Sequence, residues 1–276
     1  MCDFCASHGH GKKWYLNARN YAKELATSQY VKEFCESYFG REIKPGNPND
    51  SKSVLQKANI PTPEEVTTVD FRYRKFLHHQ VISTKEVLDV LQLASQTTED
   101  HEATVVLLPC ICRYRIQGSD PDLHCFGIAF TSEYTKRFPH YCGGGYRYIS
   151  TEAAYEILER MITEEPIVHA ISALGVPYLG MLCNCEMNVC SPYHSRIQFG
   201  ITSPFYKAHH RAKVDLQKCV GCGTCQEHCP FDVAKVDSNT NLAEIDLKAC
   251  FGCEICIRNC PEEAISLIEV DESIGY

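Results

Sequence analysis

Two stretches near the C-terminus decide how the chain is read: VDLQKCVGCGTCQEHCPFDVAKV at 214–236 and IDLKACFGCEICIRNCPEEAISLI at 245–268. They are one motif written twice. Cys219, Cys222, Cys225 and Cys229 of the first copy have counterparts 31 residues on, at Cys250, Cys253, Cys256 and Cys260. A proline, Pro230 or Pro261, follows the last cysteine of each copy.

Each copy reads C-x2-C-x2-C-x3-C-P. This spacing wraps three thiolates of one loop around a face of an iron–sulfur cube, while the fourth, at the start of the following helix, reaches the other cube. One cluster is therefore expected on Cys219, Cys222, Cys225 and Cys260, and the other on Cys250, Cys253, Cys256 and Cys229. The alternative is zinc in two four-cysteine sites, but zinc ribbons use paired C-x2-C knuckles and this run is not that pattern. Residues 214–268 resemble the bacterial-type dicluster ferredoxin over about a fifth of the chain, with all eight ligand positions matched. The resemblance implies two [4Fe–4S] clusters relaying low-potential single electrons. The copies differ at one telling place, Gly223 in the first loop and Glu254 in the second. A carboxylate beside a cluster disfavours the extra electron, so the cluster on Cys250, Cys253 and Cys256 is expected to have the lower potential.

The chain has 276 residues and 18 cysteines, and ten of these lie outside the repeat. The opening MCDFCASHGHGKKWY has no apolar h-region, so no secretory signal is expected. A cytoplasmic location follows, where thiols stay reduced and close cysteine spacings read as metal ligation. So much iron–sulfur chemistry also suggests an anaerobic or microaerobic host. Cys35 sits among aromatic residues at helical spacing and reads as core.

LPCICR places Cys110 and Cys112 two residues apart at a strand end, so both thiols point the same way in extended backbone. CNCEMNVC repeats that geometry with Cys183 and Cys185, then adds Cys190. Cys125 and Cys142 lie between, Cys142 beside Gly143-Gly144-Gly145, whose backbone could approach a cluster and offer it N–H groups. Arg113 would offset cluster charge. These seven cysteines are candidate ligands of a third iron–sulfur cluster. They exceed four, so zinc or unligated thiols remain open. The block C-x-C-R, a helix of the STEAAYEILE kind and CNC before a dicluster motif resembles a group of multi-cluster ferredoxin-like redox proteins of anaerobes. That resemblance implies electron transfer and says nothing of substrate. At the N-terminus Cys2, Cys5, His8 and His10 form a C-x2-C knuckle near two histidines, a candidate zinc or iron–sulfur site unless the terminus is frayed. The adjacent pairs His78-His79 and His209-His210 read as surface or interface residues, and His169 as a core histidine.

The fold class expected is α+β: a helical N-terminal region over 1–100, a small mixed α/β cysteine-rich domain over 101–212, and a ferredoxin-like dicluster domain over 213–276. Trp14, Ala18, Tyr21 and Leu25, then Val31, Phe34 and Tyr38, predict one or two helices over 13–39, stopped by Gly40. Prolines at 45, 48, 61 and 63 predict a loop over 44–63. Ser83-Thr84-Lys85-Glu86 predicts a capping box opening a helix through about Gln96. Strands are expected at 104–110, 125–130 and 167–172, and a helix at 150–162 capped by Ser150 or Thr151.

The net charge is −8. Val214 to Tyr276 carries 12 acidic and 4 basic residues and so accounts for all of it, while the rest balances at 23 of each sign. This acidic end could steer docking onto a basic partner. Nucleic acid is excluded for want of a net-basic domain, and no apolar run reaches transmembrane length. CGGGYR lacks the order of a P-loop, and no flavin fingerprint is visible. The leading function is an electron-transfer protein or oxidoreductase subunit serving a redox partner. Two others stay open: a reductase subunit with substrate chemistry at the extra cysteines, although the paired CCG signature is absent, and a zinc-stabilised scaffold carrying a ferredoxin.

Overall fold

The computed structural model describes residues 3–26, 28–40, 62–97, 105–128, 132–174, 177–201 and 205–270. Its centre is a six-stranded antiparallel sheet in the order β1-β5-β6-β3-β2-β4. The strands are β1 (Leu77–Val81), β2 (Val105–Leu108), β3 (Cys125–Ile128), β4 (Arg147–Ile149), β5 (Ile167–Leu174) and β6 (Leu179–Glu186). The helices before and around it are α1 (Asp3–His8), α2 (Lys23–Ala26), α3 (Gln29–Phe39), α4 (Pro63–Phe76), α5 (Thr84–Thr97), α6 (Ile111–Gln117), α7 (Ser132–Arg137), α8 (Thr151–Glu164) and α9 (Ser191–Phe199). The class is α+β, as the sequence implies.

Side chains alternate across a strand, so each strand feeds two different cores. On one face Val105, Leu107, Phe126, Ile171 and Leu182 pack against Val87, Val90 and Leu91 of α5, Leu158 and Met161 of α8, and Trp14, Tyr15 and Tyr21. On the other face Val106, Leu108, Cys125, Val168, Cys183 and Cys185 pack against Val31, Phe34 and Cys35 of α3, and against Phe205, Phe251 and Ile255. The sheet is thus aliphatic on one side and thiol-bearing on the other.

Local chemistry fixes the helix ends. The Ser83 amide donates to Glu86 Oε2 at 2.9 Å and the Glu86 amide to Ser83 Oγ at 3.3 Å, a reciprocal capping box. Ser150 Oγ accepts the Ala153 amide at 3.2 Å to open α8. In 13–39 the second helix forms as α3, capped by Ser28 and ended by Gly40. The first does not. Residues 14–21 form two 3-10 turns, because Asn17 adopts extended backbone and its Oδ1 accepts the Arg19 amide, while Asn20 Nδ2 donates to the Trp14 carbonyl at 2.7 Å. Of the predicted 44–63 loop, residues 44–61 lie outside the described residues, and Pro63 already opens α4.

Strand β1, HHQV with its preceding leucine, falls within the stretch assigned to the helical region, yet it pairs with β5 along its whole length. Residues 1–100 and 101–212 therefore share one sheet. His78 and His79 are both buried. His78 stacks between Phe4 at 3.8 Å and Tyr206 at 4.2 Å, and His79 faces the thiols.

In the C-terminal domain β7 (His210–Val214) pairs with β10 (Ile265–Glu269), and β8 (Ala234–Val236) with β9 (Ala243–Ile245). The short helices α10 (Thr224–Glu227) and α11 (Ile255–Arg258) complete it. The domain is laced onto the sheet. The Tyr206 amide donates to the His79 carbonyl at 2.8 Å and the Val81 amide to the Tyr206 carbonyl at 2.9 Å. Arg211, fully buried, donates to the carbonyls of Leu247 at 2.9 Å and Ala208 at 2.7 Å.

Beside this junction lies buried Glu86, which accepts from Lys13 Nζ and the Tyr15 hydroxyl, each at 2.8 Å. Burial alone would raise its pKa. The Lys13 and Ser83 bonds outweigh burial and hold it below the ordinary 4.5. A depressed folded-state pKa gives stability that is complete above the ordinary value and lost as pH falls through the folded one. Denaturant unfolding measured against pH is expected to weaken below about pH 4.5. Glu86→Gln should flatten that acid limb and cost ~1–3 kcal/mol at neutral pH.

Candidate metal centres

The C-terminal domain gathers its eight cysteines into two cavities. One is lined by Cys219, Cys222, Cys225 and Cys260 with Val214, Ala243 and Ile265. The other is lined by Cys229, Cys250, Cys253 and Cys256 with Phe231, Ile245 and Phe251. Each therefore takes three cysteines from one copy of the repeat and one from the other. Backbone amides point at the sulfurs: Ala243 to Cys219 at 3.4 Å, Ala212 to Cys250 at 3.5 Å, Gly252 to Cys250 at 3.4 Å and Ala264 to Cys260 at 3.3 Å. Such donors stabilise ligating thiolates.

Two glycines make the loops feasible. Gly221 and Gly252 both sit at φ +70°, where a Cβ would lie 1.9 Å from the Asn241 carbonyl oxygen and 2.3 Å from that of His210. Burial pushes Cys253 up to about 12 and Cys256 up as well, so neither ionises unaided. A bound cation would replace those protons, and the donor sets fit two four-thiolate clusters.

The two cavities differ in surroundings. Cys222 is exposed and flanked by exposed Val220 and Leu216, whereas Cys250 and Phe251 are buried against the sheet. Glu254 shares the left-handed conformation of Gly223. Its Oε2 accepts the Thr84 amide at 2.6 Å and the Thr84 hydroxyl at 2.9 Å, so its charge rests on the N-terminus of α5. The carboxylate is a docking group there as well as a charge beside the second cysteine loop.

The third thiol group lies on the inner face of the sheet. Cys110, Cys125, Cys183, Cys185 and Cys190 are buried in one core with Cys112 packed against it, and Cys125 lies opposite Cys183 across neighbouring strands. His79 Nε2 lies 3.8 Å from Cys185 Sγ, and the donor atoms of His79, Cys183 and Cys185 lie within 4.8 Å of one another. The strands dictate this: Cys125 faces Cys183 in register, and Cys185 follows two residues on. Cys110 and Cys190 are the residues just before α6 and α9, and the Ser191 amide donates to Cys112 Sγ at 3.4 Å. Five buried thiols and half-buried Cys112, crowded together, cannot all ionise. Hydrogen bonds from their neighbours lower the pKa of Cys110 and Cys183. Burial opposes ionisation of Cys190, but bonds from Cys185 and His79 bring it down to about 6. Cys112, Cys125 and Cys185, which donate to those thiolates, are pushed up. Burial acts against charge on His79 too, yet its thiolate partners raise it to about 9.

Two expectations change. Arg113 lies buried, but it pairs with Glu165 Oε2 at 2.8 Å and Glu186 Oε2 at 3.2 Å and so is not the cation for the thiols. The amides of Gly143 and Gly144 donate to the carbonyls of His140 and Tyr141 and are spent within their own turn. Cys142 belongs to the same core and lies against Tyr141 and Tyr146.

At the N-terminus Cys2 lies outside the described residues. Cys5 is buried and contacts His209 Nε2 at 3.2 Å, His8 packs on Phe4 at 4.6 Å, and His10 is exposed. Cys5 therefore takes a partner 204 residues away rather than the nearby histidines. His169 is buried, as expected of a core histidine, with Nδ1 2.8 Å from Asn184 Oδ1.

His79 went unseen because adjacent histidines suggest surface. The signal was alternation, which puts His79 and Val81 on one side of a strand leading into a capping box. Asp120 was also missed. Its Oδ2 accepts the amides of Cys110 at 2.6 Å and His124 at 3.0 Å, and its Oδ1 binds His124 Nδ1. It anchors the turn that presents Cys110.

Residues 218–265 match the family model described as 4Fe-4S dicluster domain. The C-terminal domain is therefore a dicluster, ferredoxin-like domain, and it supports iron–sulfur electron transfer. No curated protein and no solved structure matched the chain. Among the described residues no helix is long and apolar enough to cross a membrane.

Asp120→Ala is expected to leave two buried amides without an acceptor and to destabilise the protein by ~2–4 kcal/mol in denaturant unfolding. Asp120→Asn should recover part of that loss, because it keeps an acceptor oxygen.

Proposed function

We propose that the chain is an electron-transfer protein or oxidoreductase subunit that connects a redox partner to a third, internal metal centre through its dicluster domain. Each [4Fe–4S] cluster, when bound, accepts and returns one electron. Cys219, Cys222, Cys225 and Cys260 hold the outer cluster, and Cys229, Cys250, Cys253 and Cys256 the inner one. Cys110, Cys112, Cys125, Cys183, Cys185 and Cys190 supply ligands for the third, an iron–sulfur centre.

The observation that carries this reading is the place of Tyr193. Its phenol ionises reluctantly because of burial first, and then because of the charges of Cys229, Cys190 and Cys253. Tyr193 stands three residues after Cys190, and its hydroxyl reaches the carbonyl of the residue that follows Cys229, so one side chain links the upstream thiols to the inner cluster's ligands. Its hydroxyl donates to the Pro230 carbonyl, and its ring lies 5.5 Å from Phe231, which stacks on Phe251 at 4.0 Å. These rings form one packed aromatic group. At the other end, exposed Cys222 with Leu216 and Val220 supplies an apolar contact within an acidic domain. A basic one-electron partner in the cytoplasm would dock there, and its binding would weaken with salt.

Iron, acid-labile sulfide and zinc counted per chain on anaerobically purified protein test the reading. About twelve or more irons without zinc are expected, against about eight for the dicluster domain alone. Single Cys→Ala changes at Cys110, Cys183 or Cys185 should lower the count while leaving the two cubes of the dicluster domain. About eight irons and no zinc would remove the third centre. About eight irons with one zinc would favour a zinc-stabilised scaffold.

A further inference from the structure

His79 is a buried histidine on a rigid strand, and its ring is held from both ends. The register of β1 against β5 sets it opposite Ser172, and Nδ1 lies 2.5 Å from the Ser172 hydroxyl oxygen. Nε2 lies 3.8 Å from Cys185 Sγ. The donor atoms of His79, Cys183 and Cys185 all fall within 4.8 Å of one another. Nitrogen and sulfur donors on one tetrahedral ion are ~3.5 Å apart. The three groups therefore stand nearly at ligand spacing, brought there by β1 and β6 across β5. Phe205 packs against the ring at 5.5 Å and closes the site.

The surrounding hydrogen bonds favour a ligating nitrogen. If Nδ1–H donates to Ser172 Oγ, the Nε2 lone pair faces the thiols. The Ser172 hydroxyl hydrogen is then free to point at Cys183 Sγ, 3.9 Å away. One serine would fix the tautomer of one ligand and support the charge of another. With the opposite tautomer, His79 would only donate a hydrogen bond to a thiolate, and the serine hydrogen would be spent on Nδ1.

We infer that His79 Nε2 ligates an iron of the upstream centre beside Cys183 and Cys185, making it a mixed nitrogen–sulfur site unlike the two all-cysteine clusters. This rests on the reading that the upstream thiols hold an iron–sulfur centre. A neutral imidazole in place of a thiolate leaves less negative charge on the centre, which then holds an added electron more readily. The upstream centre is accordingly the electron sink of the chain, with a higher potential than either cluster of the dicluster domain.

The test uses the full chain, purified anaerobically and poised with dithionite so that the upstream centre is paramagnetic. Pulsed EPR should show coupling to a directly bonded nitrogen, and growth on 15N-histidine should convert it to the 15N pattern. His79→Cys should keep the iron content, lose the nitrogen coupling and shift the upstream potential downward relative to the other signals. An upstream centre with its full iron but no directly bonded nitrogen, or coupling that persists in His79→Cys, would overturn the inference and leave the third centre standing. A wild-type chain with only about eight irons would overturn the third centre, and this ligand assignment with it. The labelled wild-type measurement does not depend on any variant folding.

Discussion

Six thiols gathered against one face of a sheet, five buried and Cys112 half-buried, are the constraint on which the rest of this structure turns. Thiolates repel, and burial denies them water to screen that repulsion. Hydrogen bonds hold Cys110, Cys183 and Cys190 down and push Cys112, Cys125 and Cys185 up, so that thiolate and thiol share protons. A bound cation resolves the same conflict by replacing the protons. Sheet geometry leaves little freedom to avoid it, since residues two apart on β6 must share a face.

The C-terminal domain docks on that same face. Phe251 and Ile255 of the second cysteine loop close it, and Glu254 from the same loop caps α5. The loop that ligates in the C-terminal domain thus also covers the upstream thiols. Burial then differs between the two halves of an internal repeat: the first loop faces solvent with Cys222 exposed, the second faces the sheet. Sequence symmetry is broken by packing, and that gives the chain an outside and an inside.

Much of this was legible in the sequence. The repeat names its own ligands because the chemistry demands a fixed local spacing, and the structure lines the two cavities with the expected sets. Periodicity located α3, α5, α8, β2, β3 and β5, since each is long or strongly patterned. Other features depend on partners distant in sequence. β1 is short and histidine-rich, and only its pairing with β5 makes it a strand. The 3-10 turns at 14–21 arise from asparagine side chains competing for the backbone, which overrides a helical stripe. Cys5 pairs with His209, which no local motif could announce. Arg113 looked poised to offset thiolate charge, but Glu165 and Glu186 from other strands and loops claim it. The upstream cysteines were individually visible, whereas their union with His79 is a property of the folded sheet.

The central claim is that the internal thiol site and the inner cluster of the dicluster domain form one electron path across Tyr193. EPR of the stepwise-reduced full-length protein, compared with Cys183→Ala, tests it most directly. If the claim holds, reducing the upstream centre will split or broaden the signal of the nearer dicluster cluster through spin coupling. Cys183→Ala will return that signal to the shape of a dicluster domain without a third neighbour. Spectra of the two proteins that superimpose at every potential would contradict it.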